Sequence, residues 1–214
     1  MADTPDAEPT ASGSDAEPPP SCKALVERDP TRSGKDDVYA IDPDGPGGDP
    51  PIRVFCEMTI DGGGWTLVGR SAPNGTGAPF GWRIATGNVT DPTRPYSLDV
   101  GTAGLGFDEV LVADRDRTIA YKFSVGRAFL TDNAAGPVST GAVTRLRGDC
   151  AAAEGAPTML RFTGATSLTD VFFFRDIDDL GQHRGLTPSG FDLAYEDCDQ
   201  GGLLHRAQGM ILVR

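Results

Sequence analysis

Asp176-Ile177-Asp178-Asp179 places three carboxylates within four residues, directly after the apolar run 171–174. Packed together without a cation they repel one another, which raises their pKa values and costs stability. A hard cation with about 6–8 oxygen ligands removes that repulsion, and loop carbonyls can complete its shell. A hard divalent cation such as calcium is therefore one reading of Asp176, Asp178 and Asp179. An EF-hand is excluded, because Leu180 and Thr187 stand where that loop needs an oxygen ligand and its closing acid. The alternative is a solvated acidic turn. Residues 189–202 are also rich in oxygen ligands: Asp192, Tyr195, Glu196, Asp197 and Asp199, with His205 just beyond. His183 and His205 are the only histidines. His183 and the acidic set Asp192, Tyr195, Glu196, Asp197 and Asp199 are the candidate ligand-recognition residues. No Gly-x-Ser-x-Gly, His-Glu-x-x-His or phosphate-loop lysine is present, so nothing places a catalytic site.

A net charge of −12 repels phosphate backbones and anionic membranes, so nucleic acid is not an expected partner. No apolar run approaches the roughly 18 residues of a membrane-spanning helix. Nor does the N-terminus carry the basic and apolar segments of a signal peptide, so an exported protein would be represented here in mature form. Cys22, Cys56, Cys150 and Cys198 form no Cys-x-x-Cys pair. Zinc and thioredoxin-like chemistry are therefore poorly supported. Their even number and wide spacing fit two disulfides in an oxidising compartment, with three connectivities open; four buried thiols are the alternative.

The elements that must position these residues are short. Residues 1–21 hold five acids and five prolines with no lysine, arginine or aromatic. They read as a disordered acidic, Pro-rich linker, ahead of one domain over 22–214. Ser21 can cap a helix over 22–28. Strands are expected over 38–41, with Val38 and Ala40 on one face and Tyr39 and Ile41 on the other. Further strands are expected over 52–59, 65–70, 109–113, 118–125, 158–162, 170–174 and 208–213. Residues 71–108 read as long loops anchored by Phe80, Trp82, Tyr96 and Leu98. Segments 127–133 and 151–154 read as short helices or turns. Asp61-Gly62-Gly63-Gly64 between two β-forming runs predicts a hairpin turn with positive φ. The fold class is α+β: an antiparallel, β-rich domain with few short helices.

The N-terminal framework resembles the opening of fibrinogen-like domains. Its marks are Cys22, Tyr39-Ala40-Ile41, Val54-Phe55-Cys56-Glu57-Met58-Thr59 and Asp61-Gly62-Gly63-Gly64-Trp65-Thr66, with Glu57 in place of the usual aspartate. The resemblance implies a fibrinogen-C-like fold, a Cys22–Cys56 disulfide, a core role for Trp65, and a late Asp-x-Asp calcium loop matched by Asp176 and Asp178. Ser189-Gly190-Phe191-Asp192 and the final apolar strand resemble intelectins, calcium-dependent lectins of the wider group. Leu193 stands where they have tryptophan. The Asn-Cys-Ala that follows the calcium loop in fibrinogen-like domains is absent, which leaves Cys198 only Cys150 as partner.

These readings imply a non-enzymatic extracellular or cell-surface recognition module. It would bind glycans or glycoconjugates with calcium. A protein-binding or adhesion module without sugar affinity is the alternative, and a secreted carbohydrate-active enzyme the second.

Overall fold

A computed structural model describes residues 17–70, 85–118, 120–124, 144–148 and 209–214, together with the backbone of the short strands between 138 and 207. Among the described residues, one α-helix, α1 (Cys22–Arg28), precedes fifteen strands. The first eight are β1 (Asp37–Ile41), β2 (Ile52–Glu57), β3 (Trp65–Arg70), β4 (Tyr96–Ser97), β5 (Glu109–Asp114), β6 (Ala120–Ser124), β7 (Val138–Ser139) and β8 (Thr144–Arg147). They are followed by β9 (Leu160–Thr163), β10 (Asp170–Phe173), β11 (Arg175–Asp176), β12 (His183–Arg184), β13 (Leu193–Glu196), β14 (Leu204–Ala207) and β15 (Gly209–Val213).

The main sheet runs β1-β2-β3-β15-β5-β6-β8, with β4 added at β3. The last strand thus lies in its middle, antiparallel to both β3 and β5. Alternation along each strand sends side chains to two faces, and both are covered. Ile41, Val54, Val68, Val110, Val112, Ile211 and Val213 pack with Cys22 and Leu25 of α1. Trp65, Leu67, Leu111, Ala113, Met210 and Leu212 form the other layer with Ile60 and Tyr96. As expected, Tyr39 and Ile41 join the first layer and Val38 the second.

Ser21 caps α1: its hydroxyl accepts the Ala24 N–H at 3.1 Å. Cys22 is bonded to Cys56, so α1 is tied to β2. Residues ahead of Cys22 also contact the domain: the Glu17 carbonyl accepts from Arg28 Nη1 at 2.6 Å, and the Pro19 carbonyl accepts the Asp42 N–H at 2.9 Å.

The Asp61–Gly64 turn differs from a tight hairpin. The β2–β3 ladder stops at Glu57↔Trp65, and the chain between them makes a 3-10 turn over Ile60–Gly62. Glu57 ends the strand two residues before its expected limit. Its carboxylate accepts the N–H groups of Thr59 at 3.1 Å and Ile60 at 2.9 Å, drawing that backbone off the ladder. Asp61 and the three glycines all have positive φ. A Cβ on Gly63 would lie 2.5 Å from the Met58 carbonyl oxygen, and one on Gly64 would lie 2.9 Å from Lys23 Cα. All three glycines are favoured by φ, and Gly63 and Gly64 are also required by the close approach of the turn to its own strand and to α1. Within 71–108, where loops are expected, the short strand β4 at the anchor Tyr96 pairs with β3. Phe80, Trp82 and the segments 127–133 and 151–154 lie outside the described residues.

Candidate functional site

Two ribbons carry Asp176, His183, Tyr195, Glu196 and His205 of the residues singled out for ligand chemistry. β11 and β12 pair antiparallel, with Asp176 opposite His183 and Arg175 opposite Arg184. Asp178 and Asp179 belong to the intervening segment, which lies outside the described residues. β13 and β14 pair with Tyr195 opposite His205 and Glu196 opposite Leu204. Asp192, Asp197, Asp199, Cys150 and Cys198 also lie outside the described residues. The backbone thus brings Asp176 and His183 to one ladder position although seven residues of sequence number separate them, and it does the same for Tyr195 and His205. Among the described residues, no group of three or more His, Cys, Asp or Glu side chains forms a metal site.

The sheet's polar side chains fall into two clusters that sequence spacing did not reveal. In the first, Arg214 lies with its guanidinium carbon 4.1 Å from the centroid of the Trp65 ring. Its Nε and Nη2 donate to Glu109 Oε2 at 2.8 and 2.6 Å. Its Nη1 donates to the Asp61 and Gly63 carbonyls at 2.7 and 3.1 Å. Lys122 Nζ donates to Asp61 Oδ2 at 2.6 Å and lies 3.3 Å from Glu109 Oε1. Two cations and two anions therefore clasp the glycine turn to β5, β6 and the end of β15. Partial burial pushes the Asp61 and Glu109 carboxyls up, but Lys122 and Arg214 together outweigh it and hold both below the ordinary range. Trp65 is fully buried and its Nε1–H donates to the Ile60 carbonyl at 2.9 Å, as its expected core role requires.

In the second cluster, Glu57 is buried beside Asp36 and Arg117. Burial raises its carboxyl above the ordinary value, and the Asp36 charge adds to this. The Ile60 and Thr59 N–H groups and Arg117 oppose the shift. Asp36 in turn accepts the Met58 N–H at 2.7 Å. Glu57 is thus a turn-shaping acid, consistent with the structural role of the segment around it.

A cleft of about 270 Å³ opens between the 43–50 loop and residues 98–104, with Ile52 and Leu98 among its lining. Its acids, Asp44, Asp49 and Asp99, lie in segments whose composition marks only loops. No signal in the sequence joins them, since they meet only when the two loops fold side by side.

The arrangement of the main sheet finds a counterpart among solved structures. The fibrinogen-like globe domain of human ANGPTL2 matches 92% of this chain and 99% of its own, with a TM-score of 0.53 at 14% sequence identity. The fold is that of a fibrinogen-like globe domain. The corresponding globe domain of human ANGPTL6 covers 94% of this chain with a TM-score of 0.47. In sequence, the globe domain is similar to angiopoietin-related protein 7 of Bos taurus and of Homo sapiens, 41% identical over 49 residues in each case. That stretch is 23% of this chain and 13% of the length of these relatives. No protein-family description matches the chain.

Proposed function

We propose that the chain is a non-catalytic extracellular recognition module that binds glycans or glycoconjugates with the help of calcium. The observation that carries the recognition reading is the globe-domain fold over 92% of the chain. The calcium reading is supported by Asp176-x-Asp178-Asp179, whose first aspartate lies opposite His183 in the β11–β12 ladder. Asp176, Asp178 and Asp179 would supply hard carboxylate oxygens, with loop carbonyls and water completing the shell. Two adjacent sugar hydroxyls can replace two of those waters. Asp192, Tyr195, Glu196, Asp197, Asp199 and His183 would then form the recognition surface, as in the intelectin-like reading of residues 189–192. The Cys22–Cys56 disulfide supports an oxidising, extracellular setting. No described helix is long and apolar enough to cross a membrane.

Calcium titration by calorimetry tests the ion. Millimolar-range or tighter binding is expected for the native chain, and its loss in Asp176→Ala/Asp178→Ala. Unchanged binding in that variant overturns the assignment. A glycan array read with and without chelator tests the ligand, and silence in both conditions overturns the sugar reading. A second reading, a protein-binding module without sugar affinity, is favoured by the 49-residue likeness to proteins named for angiopoietin. Array silence combined with capture of a defined protein partner would support it.

A further inference from the structure

We propose that the cleft between the 43–50 loop and residues 98–104 receives a lysine or arginine side chain of a protein partner. The lining is chiefly apolar, with Ile52, Leu98 and Ala103 beside Pro43 and Pro50. Asp44, Asp49 and Asp99 line the same space. An apolar channel with carboxylates suits a side chain that pairs an aliphatic stem with a charged head. A neutral apolar side chain would leave the acids without a counter-charge. A phosphate or carboxylate ligand would be repelled by them.

Among the described residues the three acids have no cation partner, although seven ion pairs occur elsewhere in that set. Asp42, only 5% exposed, lies against Asp44, and so adds a further acid to this side of the cleft. Asp44 and Asp99 are also held in place. Asp44 Oδ2 accepts the Asp49 N–H at 2.7 Å, and Asp99 Oδ1 accepts the N–H groups of Gly101 at 2.9 Å and Thr102 at 3.2 Å. A basic side chain would meet acceptors already ordered, which lowers the entropy cost of binding. Backbone donation from Asp49 holds Asp44 below the ordinary carboxyl range, so it stays ionised at neutral pH.

The size limits the occupant. At about 270 Å³ the space falls just below the roughly 300–1,000 Å³ of pockets for drug-sized ligands. It suits one side chain rather than an oligosaccharide. The acidic N-terminal segment cannot supply that side chain, because residues 1–21 contain no lysine or arginine. The proposed occupant is a basic side chain of a partner molecule. This site shares no residue with the calcium reading and does not depend on it.

The test uses the full ¹⁵N-labelled chain in chelator at low ionic strength. It is titrated with Nα-acetyl-arginine amide, Nα-acetyl-lysine amide and uncharged Nα-acetyl-norleucine amide. Saturable shifts of the Gly48, Asp49, Gly101 and Thr102 amides are expected with the two basic probes and not with norleucine. Asp44→Asn/Asp99→Asn keeps oxygen acceptors for the loop N–H groups while removing two charges. It should weaken the basic probes by roughly tenfold, in line with the loss of charge-assisted hydrogen bonds. The Trp65 indole resonance, unshifted, reports that the variant is folded. Absence of saturable shifts, equal shifts from norleucine, or unaltered affinity in a folded double variant would each overturn the proposal. None of these outcomes bears on calcium or sugar binding.

Discussion

Around Trp65, every direction of the chain is held by a partner that cannot easily move. A disulfide ties α1 to β2, the Met58 backbone closes on Gly63, and the Arg214 guanidinium lies over the indole. Around Asp176, two residues pair with two, and each of the β11–β12 and β13–β14 ribbons forms its own small sheet among the described residues. Short ribbons of this kind contribute little stability by themselves. The contrast separates two tasks within one chain. The first region keeps the sheet together, and its residues are chosen by packing. The second carries the residues of the proposed recognition site on short strand pairs, where residue choice would be free to follow a ligand. A change in the first region should therefore alter global stability, and a change in the second should alter binding alone.

The largest effect is expected from removing the disulfide. The cysteines are 34 positions apart, and opening such a loop costs about 4 kcal/mol in the chain-entropy model. Urea unfolding of Cys22→Ser/Cys56→Ser should show this loss, and an unchanged midpoint would break the comparison at its first point. Gly63→Ala comes next at about 3 kcal/mol, since strain at positive φ adds to contact with the Met58 backbone. Gly62→Ala has the same φ problem but open space for its Cβ. It should cost only about 1–2 kcal/mol. Equal losses at the two positions would show that contact with Met58 is unimportant.

Arg214→Ala should cost about 2 kcal/mol through loss of the Trp65 and Glu109 contacts. The same cluster predicts an acid response. Because Asp61 and Glu109 are held below their ordinary pKa values, the folded state binds their protons less readily than the unfolded chain. Their stabilising contribution is present above the unfolded carboxyl values of about 4 and lost as pH falls through the lower folded values. Thermal midpoints measured down through that range should fall less steeply in Arg214→Ala than in the native chain. Parallel slopes would remove Arg214 as the source of the shift. The smallest expected effect is at the ribbons. In calcium-free buffer Asp176→Ala/Asp178→Ala should stay within about 0.5 kcal/mol of the native chain. A large loss there would mean that the ribbons support the sheet.

Much of the framework was legible because its causes are local. Ser21 marks a helix start by offering a side-chain acceptor, and α1 begins one residue later as expected. Trp65–Arg70 is a run of β-formers after glycines, and β3 has those limits. The Gly-Gly-Gly signal was read as a turn, but not as a site of three-way contact with Met58 and Lys23. That contact depends on where α1 lies. The acids of the 176–199 segment were legible only as candidate oxygen ligands. The opposition of Asp176 to His183 was not, since a ladder register depends on the length and course of the connection between strands. The cleft acids were overlooked because Asp44 and Asp99 lie in different loops, each acceptable as a solvated turn.

By itself, the sequence determined the disposition to build this sheet: which segments extend, where glycine must stand, and that the two faces of β1 differ. Those properties follow from backbone sterics and alternation of apolar side chains over a few residues. Only the tertiary structure decided that β15 enters between β3 and β5, and that Arg214 closes over Trp65. It also decided that three separate aspartates surround one apolar cleft. Such pairings are settled by the simultaneous burial of both sheet faces and by charges meeting across long stretches of chain, and no local window of residues contains that information.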